Sequence, residues 1–277
     1  MKLITSQGGR LLTLGEALGE GPAVVATSSD VPSFRTGLPA LDALAPGGAL
    51  RRGAVHEILS GPSDGTPLFF AMLLASCSTG ILPVSVPQSC RHGQDARATG
   101  ARATGARATG ARATGAIIWC DPGRSLYPPA LVAHGIDLDR LLLLKPASDA
   151  ELTWAVGECL KCPGVGAVVA EVKVHHRLTR LEARRLQLSA ERGGGVGILL
   201  RPAGKASAEH AAATRWLVRP APGERTVQRW AVQLVHGHGG RVGGVVILEH
   251  SRETNRVRAV EKLADRRRRT PVGVETA

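Results

Sequence analysis

Residues 34–42 read Phe34-Arg35-Thr36-Gly37-Leu38-Pro39-Ala40-Leu41-Asp42, and Pro46-Gly47-Gly48 follows after three further residues. Next comes the apolar run Ala54-Val55-His56-Glu57-Ile58-Leu59, which predicts a buried strand. Residues 60–66 are rich in Gly, Ser and Pro and predict a loop, and the apolar run from Leu68 to Ala75 predicts a helix. A glycine turn, a strand, a loop and a helix in this order predict the start of an α/β domain.

Strands and helices alternate through the middle of the chain. The predicted strands are 116–120, 141–144, 167–170 and 196–200, and the predicted helices are 127–134, 150–161 and 178–191. This order predicts a central parallel sheet with helices on both faces. Three later strand-like runs have no helix between them, and we expect them to extend the same sheet in antiparallel fashion. These runs are 215–219, 228–235 and 244–249.

The layout from Thr36 to Gly61 resembles the start of the RecA-like ATPase core. In that family a glycine-rich turn introduces the first strand, and the loop after the strand binds phosphate. Three later segments, 121–131, 135–141 and 230–249, resemble the ImuA family. Members of that family are RecA-related components of bacterial mutagenic repair. The resemblance implies a RecA-like P-loop NTPase fold, with a mostly parallel sheet, over residues 1–250.

The same resemblance implies a function. It implies a non-recombinase accessory or adaptor protein of translesion synthesis, induced by DNA damage through the SOS response. The implied partners are an ImuB-like polymerase homologue, an error-prone DnaE-type polymerase and RecA itself, with DNA close by. Two other functions stay open, namely a DNA-stimulated ATPase with a non-standard phosphate loop and a RecA-related inhibitor of cell division.

The phosphate loop departs from its working pattern, G-x-x-x-x-G-K-[ST], in which Lys neutralises the terminal phosphates and the hydroxyl ligates Mg²⁺. Ser60, Gly61 and Gly65 keep the spacing, with Ser60 in place of the first Gly. Thr66 replaces the Lys and Pro67 replaces the hydroxyl residue. A Thr hydroxyl carries no charge, and Pro has neither a hydroxyl nor an N–H. We therefore expect no enzymatic activity and no cofactor; ATP and Mg²⁺ would be bound only under the ATPase alternative.

Acidic residues stand at two of the predicted strand ends. In RecA-like cores the first of these positions activates the attacking water and the second holds the metal. Asp121 follows the strand 116–120, where the family usually has Glu. Glu171 stands at the end of the strand 167–170, where the family usually has Asp. They are either vestiges of catalytic acids or polar strand ends that face solvent at the carboxyl edge of the sheet.

Two segments are expected to lie outside the packed domain. The unit Ala96-Arg97-Ala98-Thr99-Gly100 recurs three more times up to residue 115 and has no apolar face to bury, so residues 77–115 are expected to form a flexible insert. The insert is either a basic arm that contacts phosphate or a repetitive DNA element translated in frame. Residues 251–277 are expected to form a basic disordered tail, which either binds a partner or DNA or is merely solvated.

Arginines supply the candidate contacts. Arg177, Arg180 and Arg184 share one face of the helical segment 177–192 and could contact DNA or an acidic partner. The alternative is a solvated face that Glu182 and Glu191 balance. The tail adds a basic run, which is Arg266, Arg267, Arg268 and Arg269.

Composition narrows the class of protein. The 277 residues carry a formal net charge of +12, which favours a polyanionic partner. Aromatic residues make up only 3%, which argues against a platform that stacks the bases of single-stranded DNA. We expect a cytoplasmic protein, because no apolar run is long enough to span a membrane, no signal peptide is evident, and the Cys content, 5 in all, is too low and odd for a disulfide framework.

Cys159 and Cys162 form a C-x-x-C motif, and His175-His176 follows. Zinc sites of this type need two histidines that are separated by three to five residues. Because these two histidines are adjacent, no metal site is expected.

Overall fold

The computed structural model of the protein describes residues 4–7, 10–13, 32–61, 64–80, 115–123, 126–134, 136–173, 178–204, 210–224, 226–251, 253–254 and 256–260. Several segments that the sequence singles out lie outside the described residues. They are most of the insert, the adjacent histidines 175 and 176, Arg177, and the tail from residue 261, which includes Arg266 to Arg269.

Nine of the strands form one mixed sheet. The strands are β1 (Ile4–Gln7), β2 (Arg10–Thr13), β3 (Ser33–Phe34), β4 (Leu50–Arg51), β5 (Ala54–Ser60), β6 (Ala116–Cys120), β7 (Leu141–Leu144), β8 (Val165–Glu171), β9 (Val196–Pro202), β10 (Thr214–Ala221), β11 (Val227–Gly237), β12 (Val245–Ser251) and β13 (Val257–Val260). Across the nine-stranded sheet the order is β13-β12-β11-β10-β5-β9-β8-β6-β7. The six strands from β10 to β7 are parallel, and β11, β12 and β13 continue the sheet antiparallel.

Helices cover the sheet on both faces. They are α1 (Pro39–Asp42), α2 (Leu68–Ser78), α3 (Pro128–Ala133), α4 (Asp149–Leu160) and α5 (Arg180–Gly193). Alternate residues of one strand face opposite sides: Ile198 packs in the core that contains α2, and Leu199 packs in the core that contains α4 and α5. The predicted fold class, a mostly parallel sheet with helices on both faces and an antiparallel extension, is confirmed. None of the helices in the described chain has the length and apolar character needed to cross a bilayer.

The motif that precedes β5 is a small folded unit. Asp42 is buried and its Oδ1 accepts hydrogen bonds from the backbone N–H of Thr36 (2.8 Å) and from the Thr36 hydroxyl (2.7 Å). Gly47 and Gly48 adopt φ values of 64° and 76°, a region that a residue with a Cβ enters only at a cost. The Thr, the Asp and the two glycines thus hold the chain in the turn that leads it into β5.

Two segment boundaries differ from the prediction. Helix α2 continues to Ser78, and Cys77 is buried in the core, so the first residues assigned to the insert belong to the packed domain. Strand β13 lies within the segment that we expected to be a disordered tail. It forms there because Val257 packs in the core and Arg258 donates to the buried Glu249 through Nε at 2.7 Å.

A hydrogen-bonded network of three side chains lies inside the sheet. The ring of His56 contacts the Thr214 hydroxyl through Nδ1 (2.7 Å) and the Arg51 carbonyl through Nε2 (2.9 Å). Because a carbonyl can only accept, Nε2 carries the proton and Nδ1 accepts from the hydroxyl. The Thr214 oxygen in turn accepts from the indole N–H of Trp216 at 2.8 Å. Burial lowers the pKa of His56 to about 4, so the ring is neutral at physiological pH.

Candidate functional site

The candidate site is the loop between β5 and α2, at the carboxyl edge of the parallel strands. Ser60 ends β5, and Pro67 occupies the N-cap position of α2 without capping the helix through its side chain. The N–H of Asp64 donates to the Gly61 carbonyl at 3.1 Å, and the N–H of Leu68 donates to the Thr66 carbonyl at 2.8 Å. The loop itself uses both donors, whereas a phosphate-binding loop directs such groups at its ligand.

A carboxylate lies over the beginning of this loop. If Gly61 had a Cβ, that atom would be 2.3 Å from Oδ2 of Asp64. The Asp64 side chain therefore occupies the space beside Gly61, although this side chain could move aside for a larger residue. A carboxylate at this point repels a phosphate group, since two negative charges at short range raise each other's energy.

Thr66, at the position of the missing lysine, is hydrogen-bonded to an acidic side chain. The Thr66 hydroxyl donates a hydrogen bond of 2.9 Å to Oε1 of Glu171, the residue that ends β8. In the sheet β9 lies between β5 and β8, so this contact carries the loop across the end of β9. The fold thus brings together two of the residues that the sequence singled out, and they bind each other.

The second acid lies beside Glu171. The strand register pairs Cys120 with Ala170, which places Asp121 and Glu171 in neighbouring positions at the same edge. Asp121 is 7% exposed, and its Oδ2 accepts a hydrogen bond of 3.0 Å from the N–H of Leu126. This carboxylate therefore helps to hold the segment that follows β6. The hydrogen bond gives Asp121 a structural role.

The buried cation at the end of β9 has its own carboxylate partner. Arg201 is 3% exposed, and its Nη1 lies 2.9 Å from Oε1 of Glu57 in β5. The other oxygen of Glu57 accepts from Nε of Arg215 in β10 at 2.8 Å. One carboxylate therefore binds two guanidinium groups across three adjacent strands.

These residues do not fit a magnesium–nucleotide complex. Position 66 offers a neutral hydroxyl that already donates to Glu171, and position 67 offers a proline ring. The charged side chain in the described part of the loop is the carboxylate of Asp64, which has the wrong sign to bind phosphate. The Lys and Ser/Thr of a working loop supply the cation and the metal ligand that are lacking here.

The C-x-x-C pair lies at the end of α4. Cys159 is fully buried, and Cys162 is half-buried with its thiol directed at the Glu158 carbonyl (3.5 Å). Burial first, and then the neighbouring Cys120, Cys162 and Glu158, raises the pKa of the Cys159 thiol far above its ordinary value. Since metals and disulfide exchange need the thiolate, Cys159 is poorly suited to either. No group of three metal-binding side chains occurs in the described part of the chain.

Two of the predicted arginine contacts, Arg180 and Arg184, lie among the described residues. Arg180 is the first residue of α5, and both Arg180 and Arg184 are exposed; the other predicted arginine contacts fall outside the described residues. Asp64 and the Glu57 ion-pair cluster also belong to this region, and neither was predicted from the sequence. For the cluster a signal existed, because a charged residue within an apolar strand must find a partner when it is buried.

Comparison with known proteins identifies relatives of this chain among curated proteins. No family model matches the chain. The chain is 29% identical over 258 residues to Protein ImuA of Caulobacter vibrioides (strain NA1000 / CB15N), which covers 86% of this chain and 93% of that protein. The protein of the same name from strain ATCC 19089 / CIP 103742 / CB 15 matches with the same figures. The predicted resemblance to ImuA is confirmed.

Proposed function

Because this chain is a homologue of ImuA, we propose that it is a non-recombinase, RecA-like accessory protein of DNA-damage-induced translesion synthesis. It acts in the cytoplasm as an adaptor and not as an enzyme. Its partners are an ImuB-like polymerase homologue, an error-prone DnaE-type polymerase and RecA, which it brings together close to DNA.

The loop after β5 supports the adaptor role most directly. A RecA-like recombinase works by binding and hydrolysing ATP, and that chemistry needs a cation and a magnesium ligand at this loop. In this chain the Thr66 hydroxyl donates to Glu171, and Pro67 stands at the metal-ligand position. A loop without this cation and this metal ligand would not support ATP hydrolysis. We therefore propose that the chain acts only by binding partners on the surface of its fold.

We expect the purified protein to bind Mg-ATP no more tightly than a Kd of about 1 mM, the range of non-specific contacts, with or without single-stranded DNA. Isothermal titration and a phosphate-release assay measure binding and turnover. Hydrolysis that DNA stimulates would contradict the adaptor proposal and support the ATPase alternative. In that case Asp121→Asn should abolish turnover, whereas Asp139→Asn, at an exposed position, should leave it unchanged.

In cells, we expect loss of this protein to remove most of the mutations that DNA damage induces, because the adaptor assembles the error-prone polymerase. A complementing copy with Thr66→Ala and Glu171→Gln should restore mutagenesis to within about twofold, since no catalytic role is lost. Mutation frequency after ultraviolet light and capture of the tagged protein from damaged cells provide the two readouts. Filamentous growth on overproduction, with mutagenesis unchanged by deletion, would instead support an inhibitor of cell division.

A further inference from the structure

Helix α5 presents two leucines to solvent. The sequence places apolar residues at 178, 181, 186 and 188. The fold divides them, because Leu178 and Leu186 are buried whereas Leu181 and Leu188 are 61% and 47% exposed. The two exposed leucines are seven residues apart, so they lie on one face of the helix. An exposed pair of this kind has a cost in water that a bound partner would remove.

Cations lie between the two leucines. Arg184 and Arg185 are exposed and fall three and four residues after Leu181, on the same side of the helix. Both acids of α5 form hydrogen bonds with residues other than these arginines. Glu182 Oε2 accepts from the N–H of Thr179 (2.8 Å) in the capping box, and Glu191 Oε1 accepts from Nε2 of Gln187 (3.0 Å).

An exposed tryptophan lies on the neighbouring helix α4. Gly157 of α4 lies against α5, where an added Cβ would be 3.5 Å from Cδ2 of Leu186. Both helices connect parallel strands of one sheet and therefore run in the same direction. Trp154, one turn before Gly157, is thus level with the turn of α5 that contains Arg184 and Arg185. Trp154 is 40% exposed.

We propose that Leu181, Arg184, Arg185 and Leu188 form a docking surface for an acidic amphipathic segment of a protein partner, with the exposed Trp154 level with it on the neighbouring helix α4. The leucines take the apolar face of the segment, and the arginines pair with its carboxylates. This inference rests on the proposed adaptor role and assigns it a surface.

The mixture of side chains favours a protein segment over nucleic acid. A phosphate backbone would use the arginines and leave both leucines in water, since sugars and phosphates offer no apolar face to cover them. Leucines flanked by arginines match a helix that carries leucines on one side and glutamates on the margins. Tryptophan and arginine are also the residues that contribute most at protein interfaces.

A labelled model peptide tests the surface in the full-length protein. The probe is a helical peptide of about 18 residues, long enough to be partly helical, with leucines on one face and glutamates beside them; its partner probe has each leucine replaced by serine. Fluorescence anisotropy at fixed ionic strength should show at least about tenfold tighter binding of the first probe. Two double variants should each weaken binding of the leucine-containing peptide by about tenfold or more. The first combines Leu181→Ser with Leu188→Ser, and the second combines Arg184→Glu with Arg185→Glu.

Matched variants control for composition. The first control is a double variant with Arg219→Glu and Arg241→Glu, which makes the same change in net charge at two exposed sites elsewhere. The second is a double variant with Val242→Ser and Val245→Ser, which removes exposed apolar side chains elsewhere. Both control variants should bind the peptide as tightly as the wild type does. Far-ultraviolet circular dichroism and the melting temperature verify that each variant is folded.

Two results would overturn the proposal. The first is equal binding of the two peptides. The second is loss of single-stranded DNA binding in the arginine variant, with no effect of the leucine variant on either probe, which would assign the surface to nucleic acid. Failure of the adaptor role has a different readout: if the peptide binds while deletion leaves mutagenesis unaffected, the proposed function fails and only a peptide-binding surface is supported.

Discussion

Replacing Glu57 with Gln is expected to lower the free energy of unfolding by about 3–5 kcal/mol, the usual cost of removing one partner from a buried ion pair. The side chain of Glu57 is 1% exposed and binds both Arg201 and Arg215. The glutamine would keep the volume and lose the charge, so Arg201 would stay buried without the carboxylate that neutralises it. Urea unfolding followed by circular dichroism measures the loss.

The exposed pair of Lys161 and Glu158, 2.6 Å apart, provides the control. Glu158→Gln should change the free energy of unfolding by no more than about 0.5 kcal/mol, because water and salt screen a surface pair. A triple variant in which Glu57, Arg201 and Arg215 all become apolar should regain most of the stability that Glu57→Gln loses. If Glu57→Gln and Glu158→Gln proved equally mild, the cluster would have no special role in the fold.

Replacing Trp216 with Ala is expected to cost about 3–5 kcal/mol, as for other large aromatic side chains in cores. Trp216 is fully buried, and its ring meets the ring of Phe70 edge-on at 6.0 Å between centroids. Its indole N–H also donates to Thr214, the residue that binds His56. The substitution therefore leaves a cavity where α2 meets β10 and removes one bond of the buried network. Urea unfolding again provides the measurement.

Two further variants separate packing from hydrogen bonding. Trp216→Phe keeps most of the ring and loses the N–H, so it should cost less than Trp216→Ala, by at least about 1 kcal/mol. Trp154→Ala, at a site that is 40% exposed, should cost about 1 kcal/mol or less. A result in which Trp216→Phe is as harmful as Trp216→Ala would mean that the hydrogen bond, and not the packing, accounts for the stability.

Local patterns in the chain were enough to predict most of the fold. Short apolar runs predicted the strands at 116–120 and 141–144 with the bounds that the structure has. The first is buried along its whole length, as its apolar residues require, whereas the second is a partly exposed strand at the edge of the sheet. The region after residue 250 was predicted less well. Arg258 has no apolar character, and it belongs to a strand because Glu249, nine positions earlier, binds it.

The candidate site divides in the same way. The absence of a lysine at position 66 and of a hydroxyl at position 67 is a property of the sequence, and the expectation of a loop that does not bind nucleotide follows from residue chemistry alone. That Thr66 reaches Glu171 could not be predicted, because 105 residues separate them along the chain. The contact exists because β5 and β8 end at one edge with β9 between them.

The sequence therefore determined which side chains are present and where most helices and strands form, since the helix and strand periods appear in the pattern of neighbouring residues. Tertiary packing alone decided which groups meet. It paired Glu57 with two arginines from other strands and directed Leu181 and Leu188 of α5 to solvent while it buried Leu178 and Leu186. The reason is that burial and pairing depend on elements that are distant in sequence, and only the assembled sheet brings those elements into contact.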